Sequence, residues 1–180
     1  MDNNINSTLE LLDQILGSTN FEDVSSESSG FESLPDGYYL SEVEEAKLTT
    51  SKSSGQPMVS FRFKIVENGI YVKFEETGEI TFVTQKGTQN RKIFKHYVLK
   101  DEAGVKRFAS DMLKFEDETG DSLLPREAFT NSETLLDALD VLESRRIYVQ
   151  SDTREKDDGT KSNWVNLISW KRVNDLGLPV

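Results

Sequence analysis

Apolar and polar residues alternate most strictly over residues 58–66, where Val59, Phe61, Phe63 and Ile65 fall on one side and Ser60, Arg62 and Lys64 on the other. A period of two marks a strand with one buried face, so this stretch predicts an apolar inner and a basic outer surface. Upstream, Leu34-Pro35-Asp36-Gly37 reads as a turn leading into an extended run through Leu48. Residues 70–74 and 79–84 predict a hairpin around Thr77-Gly78, and residues 91–99 a further strand. The period then changes. Val105, Phe108, Ala109 and Met112 recur at helical spacing over 102–115 behind a capping Asp101, and Leu135, Leu136, Leu139 and Leu142 do so over 132–142. Two strands follow, 145–151 and 162–171, joined by a polar loop containing Asp158-Gly159.

This order predicts a mainly β domain over 34–180: an OB-like five-stranded barrel with an inserted hairpin and one or two helices between its third and fourth strands. Ahead of it, residues 8–16 predict a short amphipathic helix with Ser7 as N-cap, Glu10 as capping-box partner and Gly17 as stop. Leu9, Leu12 and Leu16 share one face of it. A helix this short is not stable alone in water, so it docks on a protein surface or frays. Residues 18–33, rich in serine and acids, predict a linker, which makes 1–33 an acidic arm.

Charge sharpens this division. The chain of 180 residues carries a formal charge of −11, which by itself argues against a polyanionic partner. Residues 1–33, however, hold seven acids and no lysine or arginine, leaving 25 acids against 21 bases in the remainder. Residues 86–100 carry five bases (Lys86, Arg91, Lys92, Lys95, Lys100) and no acid, whereas 116–143 carry nine acids against Arg126 alone. Local field rather than net charge steers a polyanion. A DNA mimic would be acidic over its whole contact face, and the basic block speaks against one.

Several classes of chemistry find no support. The chain has no cysteine, so no disulfide framework and no thiolate metal site. Met1-Asp2-Asn3-Asn4 lacks the features of a signal peptide, and no apolar run approaches the roughly 20 residues of a membrane span. A soluble, cytoplasmic protein is expected. His96 is the only histidine, flanked by Lys95 and Tyr97, and suits a strand surface better than a catalytic pair. Asp152, Asp157 and Asp158 miss the spacing of an EF-hand loop. No enzymatic activity, metal or cofactor is expected.

The runs Phe31-Glu-Ser-Leu-Pro-Asp-Gly-Tyr-Tyr39, Glu44-Glu-Ala46, Thr50-Ser-Lys-Ser-Ser-Gly-Gln-Pro-Met58 and Phe61-Arg-Phe-Lys-Ile-Val-Glu67 resemble the opening of a phage family of unassigned function. Arg91-Lys92 through Leu99 resembles its next strand, and 145–173 its closing hairpin. Residues 68–90 stand as an insertion, and 1–20 have no counterpart. The resemblance implies a protein encoded among phage replication and recombination genes, working in the cytoplasm of the bacterial host and binding single-stranded DNA through an OB-like barrel.

For such a ligand the candidate contacts are Arg62 and Lys64 on the outer face of one strand, Arg146 and Tyr148 on another, and Arg91, Lys92 and Lys95 in the basic block. Lys52 in the first loop, Lys161 in the last, and Trp164 complete the set. Lysine and arginine neutralise phosphates, and aromatic faces stack on bases. Trp164 alternates away from Val165 and Leu167 and reads equally as surface or core, while Trp170 reads as core. The alternative is a protein-interaction module in which Leu9, Leu12 and Leu16, with the acidic 116–143 segment, contact a phage or host replication protein. Self-association is a further expectation for the leucine face.

Overall fold

The chain divides into two units, Met1–Glu32 and Ser33–Val180, and the computed structural model describes residues 34–117 and 119–179. The predicted helix with Leu9, Leu12 and Leu16, and the linker after it, lie outside the described residues. The described part is mainly β, with strands β1 (Gly37–Thr50), β2 (Pro57–Ile65), β3 (Gly69–Lys73), β4 (Ile80–Thr84), β5 (Lys92–Val98), β6 (Arg146–Glu155) and β7 (Lys161–Ile168). Helices α1 (Glu102–Met112) and α2 (Ser132–Leu142) separate β5 from β6, and α3 (Trp170–Leu176) follows β7.

Strand β1 is the hub. It pairs antiparallel with β2 from Ser41↔Ile65 to Thr50↔Pro57, and on its other side with β6 from Gly37↔Ser151 to Glu42↔Arg146. β5 continues the sheet from β2, and β7 from β6. The β3–β4 hairpin joins through the single bridge Tyr38↔Tyr71. The result is an open antiparallel sheet of seven strands. Among the described residues no ladder joins β5 to β7.

The alternation of residues 58–66 decides the main core. Val59, Phe61, Phe63 and Ile65 are fully buried, each worth about 1.5–3 kcal/mol of apolar transfer. Phe61 stacks on Phe63 at 5.6 Å and meets Tyr97 edge-on at 6.0 Å. Helix α1, capped by Asp101 through its bond to the Gly104 amide at 2.8 Å, brings Phe108 and Met112 into this core. Helix α2 brings Leu139 and Leu142.

A second, smaller cluster lies on the other face of β1 and β6: Tyr38, Tyr71, Tyr148, Ile168, Val173 and Leu178. It exists because α3 covers that end of the sheet, and here the sequence expectation needs correcting. The strand predicted over 162–171 stops at Ile168. Ser169 caps a helix beginning at Trp170, which ends at Gly177 with φ of 69°, the left-handed conformation a glycine stop supplies. Trp170, expected in the core, is partly exposed and belongs to neither apolar cluster.

Candidate nucleic-acid interface

The outer face of β2 is basic as predicted, but it does not stand alone. The β1–β2 register shifts between Val43 and Glu45, so Glu44 is the extra residue of a β-bulge and two residues of β1 oppose one of β2. Both carboxylates therefore reach Arg62: Glu44 Oε2 lies 2.6 Å from its Nε and Glu45 Oε2 3.3 Å from its Nη1. Glu44 also accepts from Lys92. Glu42 lies 3.2 Å from Lys64 and 3.9 Å from Arg146. The hydrogen bond from Lys92, with that from Arg62, holds the Glu44 carboxyl below the usual carboxylate range against its partial desolvation. Four of the predicted phosphate-binding bases thus come together on one face, each already paired with a glutamate of β1.

Where β5 and β7 run without a ladder, side chains take over. Lys95 Nζ donates to the Val165 carbonyl at 2.5 Å and Lys114 Nζ to the Leu167 carbonyl at 3.1 Å. These two carbonyls, two residues apart, lie on one edge of β7. Asp111 of α1 ties the lysines together: its carboxylate accepts from Lys114 at 2.6 Å and from the Tyr97 hydroxyl at 2.7 Å, and lies 3.6 Å from Lys95. Burial lowers the pKa of Lys95, opposed by the nearby Asp111. Burial pushes the Tyr97 phenol up, and Asp111 adds to the shift. Lys95 is therefore a structural latch, not an outward base. β5 pairs Phe61 with Lys95 and Val59 with Tyr97, which sets Lys95 on the inner face.

Along this seam opens a cleft of about 500 Å³, walled by β5, the start of α1 and β7. Two large aromatic side chains in its lining face solvent: Phe94 is 56% exposed and Trp164 49%. The Arg154 guanidinium sits 4.6 Å from the centre of the Trp164 ring, a cation–π contact. Trp164 Nε1 donates to Asn166 Oδ1 at 3.2 Å. His96 Nδ1 meets Ser60 Oγ at 2.9 Å, which fits its expected place on a strand surface. Lys100 and Arg107 also line the cleft, and Arg107 forms no ion pair among the described residues. Exposed aromatic faces beside cations are what a single strand stacks and tracks on.

The other predicted residues are placed variously. Lys52 is exposed in the turn between β1 and β2, and Lys161 is exposed at the first position of β7. Arg91 precedes β5 half-buried, close enough for its charge to oppose the burial-driven rise in the Tyr39 pKa. Tyr148, expected beside Arg62 on the outer face, is instead buried, packed edge-on against Tyr71 at 5.7 Å with its hydroxyl donated to the Pro179 carbonyl at 3.0 Å. Its side chain does point outward from the main core, and α3 covers it. Phe94, Arg107 and Arg154 are not among the residues that the sequence pattern singles out. For Phe94 a signal is present: in a strand, Lys92, Phe94 and His96 share a face, and Lys95 cannot join them.

No curated protein matches the chain. The family described as "Protein of unknown function (DUF669)" matches residues 21–116, from ahead of β1 through β5 and α1. The match contains Phe94, Lys95 and Arg107 of the cleft, while Arg154 and Trp164 lie beyond it. With more than half of its residues matched, the chain belongs to the DUF669 family.

Proposed function

We propose that this protein binds single-stranded DNA without catalysis, serving phage DNA replication or recombination in the host cytoplasm. The fold behind this reading is an OB-like barrel left open at one seam. β1, β2, β5, β6 and β7 follow the order of its five strands, and β3–β4 is the insertion. In such barrels the face of the second and third strands, with the first and last loops, holds oligonucleotides. Here those parts are the outer face of β2 and β5, the loop of Lys52, and the loop before Lys161. The observation that carries the reading is the pair of solvent-facing aromatics, Phe94 and Trp164, lining one cleft with Arg107 and Lys100.

A fluorescence titration with dT oligonucleotide at several salt concentrations, with duplex DNA as control, tests it. Single strands are expected to bind more tightly, with affinity falling as salt rises. Phe94→Ala and Trp164→Ala each remove a stacking face worth about 1–3 kcal/mol, or roughly 5- to 150-fold in affinity. Equal affinity for duplex, or no loss in either variant, refutes the reading.

A second reading, a module that contacts a replication protein, is favoured by a different place. Leu123, Leu124, Pro125, Ala138 and Val141 line a shallow apolar groove beside α2, rimmed by Glu127 and Asp137. A basic amphipathic segment of another protein suits such a groove.

A further inference from the structure

Strand β4 ends the sheet. Over Ile80–Thr84 it carries no lysine, proline or bulge, and its register with β3 is unbroken. All but Ile80 are exposed, including Phe82 at 42% and Val83 at 41%. An unpaired row of N–H and C=O groups beside exposed apolar side chains is a template for another strand.

The ladder shows which backbone groups are free. The Phe74 amide donates to the Glu79 carbonyl and the Gln85 amide to the Asn68 carbonyl. The odd-numbered residues of this stretch therefore exchange bonds with β3, and Ile80, Phe82 and Thr84 turn theirs outward. That outward set is self-complementary. An antiparallel copy related by a two-fold axis at Phe82 places Phe82 opposite Phe82 of the second copy and Ile80 opposite Thr84, all in hydrogen-bonded positions. Every free group of both strands is then used. Charge favours the same occupant. Glu75, Glu76 and Glu79 are exposed at one end of the strand and Lys86 at the other, and none forms an ion pair among the described residues. Antiparallel pairing lays the acidic end of one copy on the basic end of the other.

We propose that the β3–β4 hairpin is a self-association element: β4 pairs with β4 of a second copy of this chain to form one continuous sheet. β4 and β5 lie at opposite ends of the sheet path, so the pairing leaves the cleft beside β5 open, and the inference is independent of the DNA reading.

Sedimentation velocity of the full chain over a range of concentrations tests it. The wild type is expected to approach twice its 20.4 kDa as concentration rises. Thr84→Pro deletes an outward N–H while sparing every bond to β3, as proline can at a free edge. Thr84→Glu leaves the backbone intact and sets a carboxylate against the acidic end of the second copy, so it serves should the proline variant fold poorly. Both variants are expected to remain monomers at concentrations where the wild type is dimeric, with circular dichroism unchanged. A wild type that stays monomeric throughout, or a dimer that persists in Thr84→Glu, overturns the proposal. Measuring dT affinity on the same samples keeps the two readings apart, because loss of dimer with retained affinity speaks to β4 alone.

Discussion

Replacing Asp111 with alanine tests whether the seam between β5 and β7 is held by the lysine latch. The carboxylate accepts from Tyr97 and Lys114 and neighbours Lys95, and the side chains of Lys95, Asp111 and Lys114 are 16%, 13% and 30% exposed. Asp111→Ala leaves the Tyr97 hydroxyl without its acceptor, a loss of about 1–3 kcal/mol for a buried group. It also strips the countercharge from Lys95, which keeps the Val165 carbonyl and the face of the Tyr97 ring, 5.1 Å away. Breaking a well-buried pair costs about 3–5 kcal/mol; Lys114, the most exposed of the three, recovers part of its loss through water. The expected total is about 3–5 kcal/mol, read by urea unfolding followed through Trp164 and Trp170. Asp111→Asn keeps an acceptor for Tyr97 and should lose roughly half as much. The decisive variant combines Asp111→Ala with Lys95→Met. If the penalty is an uncompensated buried ammonium, the double variant is less destabilised than the sum of the singles, by about 1–2 kcal/mol of coupling. Strict additivity, or a cost below about 1 kcal/mol for Asp111→Ala, refutes the latch.

Alkaline pH should destabilise the fold. Burial raises the folded-state pKa of Tyr39, Tyr97 and Tyr148 above 10.0, so the folded state holds more protons than the unfolded one above that pH, and stability present below pH 10 is lost as pH rises. Lys95, lowered by burial, pulls the opposite way below its ordinary 10.5, one group against four, since burial raises Tyr71 as well. The unfolding free energy from urea titrations should therefore fall beyond pH 10, by up to about 1.4 kcal/mol per pH unit for each tyrosine, and a flat or rising profile contradicts the assignment. Gly37 sits at φ of 151°, and an added Cβ would come within 2.7 Å of Ile70 Cδ1 and 2.8 Å of the Tyr71 carbonyl. Gly37→Ala should cost at least about 1–3 kcal/mol, visible as a lowered Tm, and an unchanged Tm would show that the hairpin moves away freely.

What the sequence determined by itself was periodic. The two-residue alternation of 58–66 placed Val59, Phe61, Phe63 and Ile65 inside and Arg62 and Lys64 outside, because pleating sends successive side chains to opposite faces whatever the neighbours are. The helical spacing before Met112 and Leu142, and the cap at Asp101, were legible for the same reason: each depends on residues a few positions apart. A local signal for α3 is present as well, in Ser169 before and Gly177 after it, but the apolar alternation of β7 runs up to it and hides where the strand stops. Tertiary structure decided which charge meets which. The bulge at Glu44 turns two carboxylates onto Arg62, so a face basic in sequence becomes a paired one. The covering of Tyr148 by α3 turns an outward residue into a buried one. Across the open seam, Asp111 draws Lys95 and Lys114 onto the edge carbonyls of β7, residues more than 50 positions away along the chain. Periodicity is a property of neighbouring bonds and survives in the linear sequence, whereas pairing of charges and covering of faces arise only when distant segments are brought into contact, and no local pattern encodes them.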